Sequence, residues 1–223
     1  RESALSWDMD VEFIRDKIWM QQQKSRNIYA NIYSYALREA KLDELGRFVG
    51  RPELDTSYIS LSGHFMLHYN LDGLNGMDLS DVDGDLVPDF IELAGVYADS
   101  AYYVLVDEMN YIVENPDDDG IYDIYFVYYP IGEYGYNYSE GNGISYIEMA
   151  SSFQGYNSLA TPEQLLQATI SHEYFHAIQR GYKPNYLLND SYFLEMTSMW
   201  FEDVIVPDGN DYLGTTWIDD LIE

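Results

Sequence analysis

The chain has 223 residues, a formal net charge of −28, 23 tyrosines and no cysteine. That length is enough for one large domain, or two small ones, with a real core. The missing cysteines exclude a disulfide framework and any thiolate metal site. The sequence has no apolar run of about 18 residues, which excludes a membrane-spanning helix, and the acidity argues against nucleic acid and anionic lipid as partners.

Basic residues are unevenly placed. Nine of the eleven lie between Arg1 and Arg51, and none between Pro52 and Gln179. This shift in charge separates an N-terminal helical segment, 1–52, from a main domain, 53–223. The first segment reads as an accessory element, a linker or a pro-segment. Carboxylates without basic neighbours need other counterions, either metal ions or a cationic partner.

In chain order, helical spacing of Val11, Ile14, Ile18 and Trp19, then Ile28, Ile32, Tyr35 and Leu42, predicts helix over Met9–Leu45. Leu61–Asn70 alternates as a strand, with His64 and His68 on one face. Two strand residues four apart are about 13 Å apart, too far to share one ion, so both histidines read as structural. An Asp-rich loop follows, and Pro88 opens a long helix to about Val113. Asn115–Gly120 is a turn, Ile121–Tyr129 a strand, Tyr134–Gly143 a loop and Ile144–Met149 a second strand. Thr161-Pro162-Glu163-Gln164 is a capping box with proline at the first helical position, starting a helix that Gly181 ends. Asn189, Asp190 and Ser191 can cap a last helix that Pro207 stops.

The helix begun at Thr161 carries His172-Glu173-Tyr174-Phe175-His176, an H-E-x-x-H pentapeptide. Positions four apart share a helix face, so both imidazoles can bind one metal ion. Glu173 is rotated about 100° away and can act on water without being a ligand. The alternative is a surface helix with an incidental match. Zinc needs a third protein ligand and an open position. No histidine follows His176, so the ligand should be a carboxylate on the next helix. Spacing favours Glu195, with Asp190 and Asp203 as weaker options. Glu202, two turns beyond Glu195, reads as a residue that supports the site, structurally or by orienting a ligand histidine.

The stretches T-I-S-H-E-Y-F-H-A-I-Q-R-G-Y and F-L-E-M-T-S-M-W-F-E-D resemble a family of uncharacterised secreted zinc metalloproteases known from bacterial genomes. H-F-M-L-H-Y, D-V-D-G-D-L-V-P-D-F-I-E and D-I-Y-F-V upstream are similar too. The resemblance spans roughly residues 60–215. It implies an α+β, zincin-like metallopeptidase domain with a small mixed sheet, a motif-bearing active-site helix and a helical C-terminal part. It also implies His172, His176 and Glu195 as zinc ligands and Glu173 as general base. A glutamate as third ligand is similar to the gluzincin group. That pattern places an Asp four residues after the ligand, where this chain has Met199, so the partner of His172 must come from elsewhere.

Zinc held in this way supplies activated water and a polarised carbonyl. The developing oxyanion needs a further donor. Tyr182, Tyr186, Tyr192 and Tyr212 are the candidates, because few basic residues and no histidine follow the motif. Ile144–Met149, just ahead of the motif helix, is expected to be the edge strand that pairs with an extended peptide.

Asp81, Asp83, Asp85, Asp89 and Glu92 fall at positions 1, 3, 5, 9 and 12 of an EF-hand-like frame, and Val87 offers its carbonyl at position 7. The frame departs from the EF-hand with Gly84 at position 4 and Leu86 at position 6, where glycine is usual. A structural calcium ion is expected. Asn115, Asp117, Asp119 and Asp123 form a weaker echo. These features point to a secreted or cell-surface zinc peptidase acting on peptide or protein substrates. The alternatives are a catalytically silent zincin fold and a calcium-stabilised acidic surface or adhesion module.

Overall fold

The computed structural model describes residues 50–129, 133–156, 158–184 and 190–209. The helices predicted over Met9–Leu45 lie outside the described residues, as do Tyr186, Asn189 and Tyr212. The described chain is α+β. Five strands form one mixed sheet: β1 (Thr56–Ile59), β2 (Phe65–Tyr69), β3 (Tyr122–Val127), β4 (Gly135–Gly141) and β5 (Ile144–Ala150). Three helices accompany them: α1 (Asp89–Tyr102), α2 (Pro162–Tyr182) and α3 (Ser191–Ile205).

The spatial strand order is β1-β2-β3-β5-β4. β2, β3 and β5 run parallel, while β1 and β4 pair antiparallel at the two ends. A parallel pair needs a crossover, and α1 supplies it between β2 and β3. Alternate strand residues separate two layers. Phe65, Leu67, Ile124, Phe126, Ile147 and Met149 join the main core with the helices, and Tyr125, Tyr138 and Tyr146 cluster apart from it.

Two expectations are corrected here. Tyr134–Gly143 is mostly strand rather than loop, and it takes the edge position, leaving β5 between β3 and β4. Asn142-Gly143 explains this, since both have positive φ, 54° and 82°. They connect the Gly141–Ile144 pair as the two-residue turn that closes a hairpin. The two upstream histidines also separate, because the strand begins only at Phe65. His64 lies ahead of it against Tyr102 and Tyr174, and its Nε2 pairs with Glu114 Oε1 at 2.7 Å. His68 stacks on Tyr125 in the other layer and pairs with Asp123 Oδ1 at 2.6 Å. Each histidine has its own carboxylate, and Asp123 is turned toward His68 rather than into the Asn115–Asp119 turn.

α1 ends sooner than predicted. It passes at Tyr103–Glu108 into a π-helical turn, and Asn110, with φ 61°, reverses the chain. α2 starts as the sequence indicates, with Thr161 Oγ1 accepting from Gln164 N and Gln164 Oε1 accepting from Thr161 N. Gly181 does not stop it, because the helix runs through Tyr182. α3 ends just before Val206 and Pro207. The Asp190 side chain does not cap α3 and pairs instead with Lys183.

Candidate metal centre

α2 buries Leu166, Ile170, Tyr174, Ala177 and Ile178 under the sheet. That packing fixes the rotation of the helix and turns His172 and His176 toward α3. α3 in turn buries Ser198 and Phe201, which presents Glu195 and Glu202, seven residues apart, on one face two turns long.

Three candidate ligand groups converge between the helices. His172 Nε2 lies 3.1 Å from His176 Nε2 and 3.2 Å from Glu195 Oε2, and His176 Nε2 lies 3.4 Å from Glu195 Oε1. Tetrahedral zinc with bonds of about 2.0–2.1 Å separates its ligands by about 3.3–3.4 Å. The two Nε2 atoms and the Glu195 carboxylate, which offers Oε2 to one ring and Oε1 to the other, are spaced close to such a ligand set.

The opposite ring nitrogens are tied off. His172 Nδ1 meets Glu202 Oε1, and His176 Nδ1 meets Gln179 Oε1 at 2.8 Å. An acceptor at each Nδ1 holds a proton there, so each Nε2, which faces Glu195, is the nitrogen a metal would take once it gives up its own proton. Glu202 is therefore the partner of His172 on that side of the ring. Gln179 was missed altogether. It sits three residues after His176, and its Nε2 donates to Leu194 O at 3.2 Å and Thr197 Oγ1 at 3.0 Å, joining the two helices. Nothing in the sequence alone marks it, since an uncharged amide at that spacing can equally lie on a surface.

Charge balance follows from this packing. Burial disfavours a protonated His172, but Glu195 and Glu202 outweigh it and hold the imidazole well above its ordinary value. Burial also pushes the Glu195 carboxyl up, and hydrogen bonds from both imidazoles more than offset this, leaving it far below the usual carboxylate range. Glu173 goes the other way: burial raises its pKa, and the two imidazoles only partly counter the rise. Its carboxylate has no hydrogen-bond partner among the described residues.

No protein-family model, curated protein or solved structure matches the chain.

The tyrosine candidates divide. Tyr182 is six residues past His176, about 240° around the helix, and its hydroxyl accepts from Ile112 N at 2.9 Å. It faces away from the three candidate ligands. Tyr192, three residues before Glu195, is 75 % exposed and shares the solvent side of α3 with it. Asp190 is engaged with Lys183 and is not a ligand in this arrangement.

The acidic loop forms a second group. Asp81, Asp83 and Asp85 bring one carboxylate oxygen each within 4.8 Å of the others. Asp81 also accepts from Gly84 N and Leu86 N, at 2.7 and 2.9 Å, and Asp85 accepts from Val87 N at 2.8 Å. Asp89 Oδ1 reaches back to Val82 N at 3.1 Å. Burial raises the Glu92 carboxyl, and Asp85, Asp83, Asp89 and Asp81 raise it further, so it shares their field. Leu86 has φ 78°, the left-handed conformation for which an EF-hand uses glycine at that position. If calcium binds here, excess calcium at about 100 times its Kd adds about 2.7 kcal/mol. The expected result is a melting temperature several degrees higher in calcium than in chelator, with zinc held constant. Equal transitions would remove the site.

Proposed function

We propose that the protein is a zinc-dependent peptidase with a zincin-like domain, secreted or displayed at the cell surface. His172, His176 and Glu195 hold the metal, and Glu173 is the general base. The observation that carries this reading is the convergence of the two Nε2 atoms and the Glu195 carboxylate, with both Nδ1 atoms already paired. The resemblance of the H-E-x-x-H and downstream Glu stretches to secreted zinc metalloproteases supports it.

Zinc in this site supplies activated water and a polarised carbonyl. The protein's own part is general acid–base chemistry. Glu173 takes a proton from the attacking water and returns it to the leaving amine. Of the two described candidates, Tyr192 rather than Tyr182 is left to assist the oxyanion. β4 rather than β5 is the edge on which an extended peptide would lie.

Metal analysis after mild dialysis, followed by incubation with a peptide mixture, tests the reading. Zinc at about one per chain with cleavage supports it. Zinc without cleavage of any peptide favours the silent fold, and calcium alone favours the acidic structural module. Glu173 argues against the silent fold, since a site that only binds metal has no chemical use for a buried carboxylate beside it.

Substrate charge gives a further expectation. β4, β5 and α2 as far as Gln179 contain no lysine or arginine. Arg180 grips Asn137 and Lys183 pairs with Asp190. A cleft in this field concentrates cations. Of two peptides differing only in flanking Lys or Glu, the Lys peptide should show the higher kcat/KM at low salt. The gap should narrow near physiological ionic strength, where screening shortens to about 8 Å. A preference for the Glu peptide would show that local contacts dominate.

A further inference from the structure

The motif helix and the edge strand are joined by one side chain from each. Asn137 of β4 is 2 % exposed. Arg180 Nε donates to its Oδ1 at 2.5 Å, and Arg180 Nη2 donates to its backbone oxygen at 2.9 Å. Arginine has no acceptor, so Oδ1 must face it and the amide orientation is fixed. Nδ2 then points the other way and donates to Glu173 O at 3.2 Å, Tyr122 Oη at 2.9 Å and Ser145 Oγ at 3.2 Å. One carboxamide thus links β3, β4, β5 and the helical turn that carries the proposed base.

Gly135 makes the second contact. A Cβ there would meet Thr169 Cγ2 at 3.0 Å and Glu148 O at 3.1 Å, so the strand approaches the helix closely only because the position is glycine. Gly135 and Asn137 are two apart on the strand, about 6.8 Å. Thr169 and Glu173 are four apart on the helix, about 6.0 Å. The matching steps set the strand in register along the helix. Arg180, seven residues and two turns beyond Glu173, closes the grip from the same face. It is one of only two basic residues after Arg51, and this contact uses it.

We propose that Asn137 and Arg180 are positioning residues for Glu173, setting the depth of the base turn beneath the edge strand. The proposal rests on the metal-site reading above. A displacement of about 1 Å in such a geometry costs on the order of 10²-fold in rate.

The test uses the full chain loaded with cobalt, whose visible spectrum reports ligation. The probe is acetohydroxamate, which chelates a metal and sets a polar hydrogen against a neighbouring carboxylate. In folded, cobalt-loaded Asn137→Ala and Arg180→Met, acetohydroxamate affinity should fall about tenfold and kcat about 10²-fold, with KM nearly unchanged. Arg180→Lys keeps one charged donor and should recover part of both. Arg180→Met provides the reading if Asn137→Ala does not fold. Wild-type hydroxamate affinity and kcat in folded Arg180→Met overturn the proposal, as does a loss confined to melting temperature. A wild-type chain that takes up no cobalt fails the metal reading itself, before any variant is compared, and the proposal falls with it.

Discussion

Glu173→Gln is expected to retain zinc and to lose about 10²–10⁴-fold in kcat. The two side chains have nearly the same volume, so the packing of α2 is preserved. The bond from Asn137 goes to the Glu173 backbone oxygen and survives the change. Neither imidazole uses the Glu173 carboxylate to fix its tautomer, since Glu202 and Gln179 do that. The amide removes only the proton acceptor. Because burial raises the Glu173 carboxyl, the variant also removes a disfavoured buried charge, and its melting temperature should not fall. Zinc per chain and kcat are measured on the same preparation. Turnover within about tenfold of wild type in a zinc-replete variant would take the base role from Glu173.

The parts of the fold legible in the sequence are those set by local chemistry. The capping box at Thr161 marks the start of α2 to the residue, because its two hydrogen bonds involve positions three apart. β3 and β5 are legible from β-branched and aromatic runs. β4 is not, since Gly135, Asn137, Ser139 and Gly141 are poor strand formers by propensity. They are used there because the strand must pass close to Thr169 and turn through Asn142-Gly143. The Asn142-Gly143 pair is the one short-range hairpin signal in this segment. Edge and interior strands were exchanged for the same reason.

In the candidate site, the two histidines and Glu195 are legible because they lie on regular helical spacing and a short connection. The Glu202 pairing is legible as geometry, two turns along from Glu195. Gln179 and Asn137 are not, because uncharged amides occur on any surface, and only tertiary packing shows what they orient. Glu114 is a similar case. It is buried at 4 % exposure and accepts from Tyr174 at 2.5 Å as well as meeting His64, yet on paper it looks like one more surface carboxylate in an acidic chain.

The two glutamates of α3 should separate by the size of their effect on metal affinity. On the proposed reading Glu195→Ala removes a ligand and leaves two imidazoles, so zinc affinity should fall by more than about 100-fold. Glu202→Ala leaves all three ligands and removes only the acceptor at His172 Nδ1, a loss of about 10–100-fold for such partners. The order is not guaranteed by sequence, because both carboxylates lie on one helix face and both touch the same imidazole. Geometry decides it: Glu195 also reaches His176 Nε2, as a group at the shared centre must, whereas the Glu202 contact is on the far side of the His172 ring. Competition with a chromogenic chelator gives both affinities. A larger loss in Glu202→Ala than in Glu195→Ala would exchange their roles, turning the His172 ring over and making Glu202 the ligand.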